Sequence, residues 1–361
     1  MSAGHTAAEV RGPAPGAPAV LEPLREEFFR NAAQVDCGER DTRPGLRLLG
    51  EHDVLALGAP GNRDGHLPEA VRLIEEIAAS CMSSAFSLWA QRMVIEFLEL
   101  AAHSAAAREV LPGLRSGELV GCTAMASALR DVSGIEEVPV RARRVDGGLV
   151  LDGPIRWASN LFPGAVVVLP VHLGGEDRAV VCLRTTDAGV RVHDAPTLMA
   201  LGATASSAVT LSGVRVPSGN VLTEDLPGFV QRFRPTFLLL QTALCSGLAG
   251  QSLRGVTPRL GGLNAVFADD AAALEARHAS VRGRLLTYAA APSTASVAEL
   301  LRLRLDGAHV AGEATRLEVT VCGGAGYLAG SPANRRLREA AFLPVQSPTE
   351  GQLRWELSKY A

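Results

Sequence analysis

Lysine is almost missing from this chain of 361 residues; its single copy is Lys359, two residues from the C-terminus. A P-loop needs a lysine on its phosphates, and a pyridoxal or aldolase-type Schiff base needs a buried lysine amine. Both chemistries lose their key residue here. Aromatics are thin as well, at 4% of the chain with three Trp and three Tyr, so each one placed carries information. Cysteine pairs are lacking: Cys37, Cys81, Cys122, Cys182, Cys245 and Cys322 include no Cys-x-x-Cys. That spacing fits neither a zinc site nor a dense disulfide framework. Most of these thiols lie in apolar runs and behave as small hydrophobes, so a reducing, cytoplasmic setting is expected. The eight histidines form no His-x-x-x-His or His-Glu-x-x-His, and no metal is expected. Positive charge is not in excess, with 35 basic against 38 acidic residues, so a nucleic-acid face is not expected. The most apolar run, Thr236–Gly250, is interrupted by Gln241 and Ser246; it is too short to span a bilayer and reads as a buried helix. Met1 to Val20, rich in Ala, Gly and Pro without an apolar h-region, reads as a disordered leader over 1–20 rather than a signal peptide.

What is present is a hydrophobic content of 47% in a chain long enough for about two to three domains and a large core. Over 21–119 the pattern is helical, as in Pro68–Cys81, where Val71, Ile74, Ala78 and Cys81 share one face. Over 120–222 it becomes short β-rich runs: 138–142, 149–151, 165–169, 179–183, 190–192 and 209–216. Each is bounded by turn signals such as Asp146-Gly-Gly148 and Asp152-Gly-Pro154. Without intervening helices, these predict an antiparallel barrel or sandwich. Over 223–361 long Ala- and Leu-rich helices return, as in 237–253, 265–290 and 296–321. Gly324-x-Gly326-x-x-Ala329 has dinucleotide-binding spacing, but Ser331-Pro332 interrupts it and no strand precedes it. A helix C-terminus capped by Gly323-Gly324 is the expectation there.

Three separated segments carry a resemblance. The first is Gly148-Leu-Val-Leu-Asp-Gly-Pro-Ile-Arg-Trp-Ala-Ser-Asn160. The second runs from Leu201-Gly-Ala-Thr through Leu211-Ser-Gly-Val-Arg-Val-Pro217. The third is Gly323-Gly-Ala-Gly-Tyr327 followed by Arg338-Glu-Ala340. In this order and spacing the chain, from about Glu69 onward, resembles the acyl-CoA dehydrogenase family of flavoproteins. The resemblance implies an α+β fold: an N-terminal helical domain, a central β-barrel-like domain and a C-terminal four-helix bundle. It also implies a homo-oligomer, tetramer or dimer, with FAD between the β domain and the helices. A flat flavin ring needs an aromatic or apolar wall and hydrogen bonds at its polar edge. By the resemblance Trp157 packs against that ring and Ser159 supplies the hydroxyl near N5. Thr123 or Ser127 faces the pyrimidine edge, where the family's Glu-Pro-Gly is missing. Gly323, Gly324 and Thr349 fall at further cofactor positions, and Arg130 falls on the substrate side. Trp89 and Trp355 read as helix packing.

The departures bear on chemistry. The family removes an α-proton with a glutamate, because a thioester α-C–H is weakly acidic and the base must sit close to it. Nine residues after Arg338 the chain has Ser347, which is no base unaided; Glu350 lies three residues on. The family's alternative base position, in Phe237–Ala243, holds no carboxylate. The family's Arg-x-x-Phe-Gly is altered at Arg254–Gly262, where Arg254 or Arg259 stands for its phosphate-binding arginine. Three expectations stay open. One is an FAD-dependent oxidoreductase acting by hydride transfer on an acyl group linked to CoA or a carrier protein, or on a related small molecule. Another is a monooxygenase using reduced FAD or FMN and O2, which needs a dry pocket and no base. The last is a non-catalytic flavin-binding subunit. A flavin reductase or electron-transfer partner goes with the first two.

Overall fold

The computed structural model describes residues 17–62 and 66–360. Residues 1–16 of the expected leader lie outside the described residues, while Ala17–Val20 already belong to the first helix. The N-terminal third is α1 (Ala17–Asp36), α2 (Arg43–Glu51), α3 (Leu67–Ser80), α4 (Met82–Leu100) and α5 (Ala105–Arg115). Of these, α4 is buried along nearly its whole length, Met82 to Leu98, and its polar Ser87, Gln91, Arg92 and Glu96 are all bonded inside.

The middle holds β1 (Gly121–Thr123), α6 (Ala126–Val132), β2 (Arg141–Val145), β3 (Gly148–Ala158), β4 (Val166–Gly174), β5 (Asp177–Arg184), β6 (Val190–Val192), β7 (Ser207–Pro217) and β8 (Val221–Thr223). They form one sheet in the order β6-β7-β3-β2-β4-β5-β8, with β1 added to β4. Most pairings are antiparallel, as expected, but β1 and β2 each run parallel to β4. The run expected as a strand over 138–142 pairs only from Arg141. Pro139 has no N–H to give a ladder, so Val138 and Val140 enter the core instead as a buried approach. Helix α6 within this region was not anticipated.

The C-terminal part is α7 (Leu226–Val256), α8 (Ala268–Ala290), α9 (Val297–Cys322), α10 (Gly324–Tyr327), α11 (Pro332–Ala340) and α12 (Glu350–Leu357). Helix α9 opens on a capping box: Ser296 accepts from the Glu299 N–H, and the Glu299 carboxylate accepts from the Ser296 N–H. It stops at Gly323, which takes φ 59°, so the dinucleotide-like glycines are a helix end and not a strand-to-helix turn. Helix α7 packs on α3 and α4 on one side and on α8 and α9 on the other, joining both helical regions into one core. Among the described residues no helix is long and apolar enough to cross a membrane.

Candidate active site between sheet and helices

The sheet side of the site is built by the end of β3. Asn160, fully buried with φ 65°, ends the Arg-Trp-Ala-Ser-Asn run. Asparagine tolerates this left-handed conformation better than most residues. Its side chain uses both ends, donating to the carbonyls of Ser87 (3.0 Å) and Gly121 (3.1 Å) and accepting from the Ser87 hydroxyl (2.7 Å). This clamp ties β3 to α4 and β1, and so sets Trp157 and Ser159 just before it. Trp157 is 58% exposed, a large apolar ring left uncovered.

Ser159 lies 2.8 Å from the Ser206 hydroxyl, which lies 2.7 Å from that of Thr204; Thr204 in turn donates to the Leu201 carbonyl at 2.7 Å. A carbonyl only accepts, so the protons run from Ser159 to Ser206 to Thr204 to Leu201. Ser159 therefore keeps its lone pairs free. The loop behind this relay holds Leu201 (φ 61°) and Ala205 (φ 46°), two non-glycine residues in the left-handed region. Each costs on the order of 1–2 kcal/mol, strain that the surrounding packing must hold.

The helical side is aromatic. Phe86 and Trp89 of α4 stack with centroids 5.3 Å apart. Phe342 meets Phe86 edge-on at 4.9 Å, and Phe237 of α7 meets Trp89 edge-on at 5.0 Å. Such pairs add about 0.5–1.5 kcal/mol beyond area burial. Trp89, 4% exposed, is packed among the helices as expected, and it also belongs to the cavity lining. Ser347 follows in the loop after α11, its carbonyl accepting from Gln241 Nε2 at 2.9 Å. Beneath it lies Arg304 of α9, 0% exposed. Arg304 donates to Gln241 Oε1 (3.3 Å), the Leu343 carbonyl (2.9 Å) and Gln346 Oε1 (3.1 Å).

At the mouth, Glu136 pairs with both Arg130 (3.1 Å) and Arg156 (2.7 Å). Glu137 pairs with Arg141 at 3.0 Å. Arg338 of α11 bonds Asp36 and the Met199 carbonyl, each at 3.0 Å through Nη1, bracing the loop that leads to Leu201.

These walls enclose a cavity of about 660 Å³. Of the residues singled out in the sequence, it brings together Thr123, Ser127, Arg130, Trp157, Ser159 and Ser347. Gly323 and Gly324 lie elsewhere, at the end of α9, and Thr349 caps α12 by accepting from the Gln352 N–H at 3.3 Å. Glu350 is turned away as well, its carboxylate held by His309 (3.2 Å) and Arg354 (2.8 Å). Arg254 bonds Gln251, and Arg259 bonds the Gly255 carbonyl. The acidic residues lining the cavity are Glu136 and Glu137, both at its mouth; among the described residues no carboxylate lines its helical end. Arg304 is not marked out by the sequence, and neither Gln241 nor Gln346 is marked there as part of a site. The one signal the sequence carries is Gln241, the polar interruption of the apolar 236–250 run.

No family model matches the chain. The mitochondrial short-chain specific acyl-CoA dehydrogenase of Sus scrofa is 23% identical over 354 residues, covering 90% of this chain and 84% of its own length. This chain is similar to that acyl-CoA dehydrogenase along nearly its whole length. The fold agrees. The solved glutaryl-coenzyme A dehydrogenase complexed with glutaryl-CoA superposes with a TM-score of 0.84 at 16% identity, over 96% of this chain and 95% of that one. KijD3 in complex with FMN and a dTDP-amino-keto sugar superposes with a TM-score of 0.78 at 17% identity, over 96% and 94%. In these two solved structures the same fold accompanies an acyl thioester in one and a nucleotide sugar in the other.

Proposed function

We propose that the protein is a flavin-dependent oxidoreductase that holds the flavin of FAD, or of FMN, against Trp157 and acts on a small or acyl-linked substrate without a carboxylate base. The observation carrying this reading is the cavity itself. One wall offers an uncovered tryptophan and an oriented serine, the other is aromatic, and no carboxylate lines the helical end. The fit to a flavin is physical: Trp157 supplies a flat apolar face, and a ring laid on it covers surface now open to water. Flavin supplies a two-electron acceptor at N5 and, when reduced, a means of activating O2.

The chain's own residues do the rest. Ser159, its proton committed inward through Ser206, accepts a hydrogen bond on the cavity side. Thr123 and Ser127 offer hydroxyls at the edge nearer β1 and α6. Arg130 and Arg156, sharing Glu136, face phosphate or thioester groups at the mouth. Phe86, Trp89, Phe237 and Phe342 exclude water from the inner end. Ser347 takes no proton, so the substrate either needs no assisted deprotonation or surrenders its proton to a group other than a side-chain carboxylate.

A second reading, a monooxygenase using reduced flavin and O2, is favoured by the same dry aromatic end. The two are separated by mixing flavin-loaded protein anaerobically with acyl thioesters, free acids and amines. Bleaching of the flavin supports the dehydrogenase. Hydroxylation that requires both O2 and a flavin reductase supports the monooxygenase. Neither, with flavin bound, overturns the catalytic reading in favour of a flavin-binding subunit.

A further inference from the structure

The hydroxyl relay behind Ser159 has a fixed direction. The Leu201 carbonyl only accepts, so Thr204 gives it a proton (2.7 Å), Ser206 gives one to Thr204 (2.7 Å), and Ser159 gives its own to Ser206 (2.8 Å). The relay also has a fixed scaffold. Its loop is tied to the residues just after Ser159 by two backbone bonds: the Asn160 N–H donates to the Thr204 carbonyl at 2.8 Å, and the Leu161 N–H to the Ala205 carbonyl at 3.1 Å. Just before Ser159, Ala158 pairs with Ser207 in the β3–β7 ladder. Thr204 is fully buried and stands behind the cavity wall, whereas Ser159 is half-buried and lines it.

Ser159 therefore offers the cavity lone pairs and no proton. Flavin N5 changes character on reduction. Oxidised, it carries a lone pair and only accepts; two-electron reduction adds a proton there, and it then donates. A hydroxyl that can only accept matches the reduced ring and not the oxidised one.

We propose that the Thr204–Ser206–Ser159 relay tunes the redox poise of the site. By withholding the Ser159 proton, it makes the site favour reduced over oxidised flavin, and so raises the reduction potential above that of a site whose serine could donate. Thr204 touches no ligand; it is a positioning residue that acts through Ser159. This inference rests on the proposed function, which lays the ring on Trp157, and on N5 lying at Ser159 as the resemblance implies.

Thr204→Val is the test, because it reverses the relay from behind the wall. Valine keeps the shape of threonine and cannot accept, while the Leu201 carbonyl keeps the backbone N–H of position 204 at 3.1 Å. Ser206 is then free to donate to Ser159, and Ser159 to the ring. Oxidised flavin is titrated into flavin-free full-length protein by fluorescence. The flavin-loaded protein is then reduced anaerobically against a reference dye, with dithionite supplying the electrons and water the N5 proton. Thr204→Val binds oxidised flavin about fivefold more tightly, and its two-electron potential falls by about 20 mV, the same factor in redox terms. Ser159→Ala, which removes the acceptor, lowers the potential by a similar amount without tightening oxidised flavin. Loop damage would weaken binding, so a gain in affinity isolates the relay. If Thr204→Val does not fold, Ser206→Ala breaks the same relay and carries the same two expectations. Oxidised flavin bound no more tightly in the relay variant, or a potential that does not fall, overturns the inference alone. Wild-type protein that binds no flavin overturns the proposed function and this inference with it.

Discussion

The two ends of the cavity are made differently. At the sheet end the polar groups are paired within the protein: Asn160 bonds Ser87 and Gly121, and Ser159, Ser206 and Thr204 form a relay ending on Leu201. What that end leaves open is a face, Trp157. At the helical end the faces are closed upon each other as stacked and edge-on rings, and buried polar atoms of Trp89, Gln346 and Ser347 go without a partner. A surface short of a flat partner suits a planar ring. The ends thus differ in kind: one exposes an apolar ring, and the other packs its rings on each other.

If Arg304 supports the helical end as described, its removal should produce the largest effect. Arg304→Leu leaves the oxygens of Gln241, Gln346 and Leu343 without their donor in a buried place. Each costs about 1–3 kcal/mol, so a total loss of roughly 3 kcal/mol or more is expected. Urea unfolding would read it as a lower midpoint. An unchanged midpoint would mean that these oxygens have other donors and that the helical end is not organised around the guanidinium. The sheet end is the counterpart. Trp157→Ala should weaken flavin binding by about 2 kcal/mol, some thirtyfold in Kd, while the unfolding temperature of the flavin-free protein hardly moves, because the ring is 58% exposed. A titration of flavin-free protein followed by flavin fluorescence measures it. Equal affinity of both proteins would take Trp157 out of the cofactor wall.

The two ends also differ in how legible they are in the sequence. Trp157, Ser159 and Asn160 are neighbours on one strand end, so a contiguous motif reveals them, and the clamp made by Asn160 explains why the motif stops on that residue. The succession of helical, strand and helical patterns likewise follows from local periodicity, which tertiary packing here leaves intact. Trp89, Gln241, Arg304 and Gln346 sit on α4, α7, α9 and the loop after α11. Nothing in local sequence tells a cavity-lining tryptophan from a packed one, or a buried arginine from a solvated one in an Arg-rich helix. The parallel placement of β1 and β2 beside β4 is hidden for the same reason: strand order is decided by packing across distant segments.

Glu339 sharpens the comparison from behind the helical end. It accepts from the Met82 N–H at 3.3 Å, holding α11 to the start of α4, the helix that carries Phe86 and Trp89. Burial pushes its carboxyl up to about 7, a push only partly offset by Arg335. A carboxyl with a raised native pKa binds more protons folded than unfolded. Its stabilising contribution is full below the unfolded value near 4.5 and declines as pH rises toward 7. Stability should therefore fall by about 1–2 kcal/mol between pH 5 and 7 from this group. Glu339→Gln keeps the acceptor for Met82 and should flatten that slope in urea midpoints taken across the range. A slope that survives the substitution assigns the pH dependence to other groups.

The smallest expected effect separates a vacancy from a strut. Ser347 Oγ is buried and unpaired, whereas Ser159 Oγ is embedded in a relay. An unpaired buried hydroxyl is a cost to the folded state that alanine does not carry. Ser347→Ala should leave the unfolding midpoint unchanged or raise it by up to about 1 kcal/mol. Ser159→Ala breaks a bond to Ser206 and should lower it by about 1 kcal/mol. Paired urea curves, taken without added ligand, decide the matter. If Ser347→Ala proves the more damaging of the two, its hydroxyl is held by a partner in solution, and the helical end is no less internally paired than the sheet end.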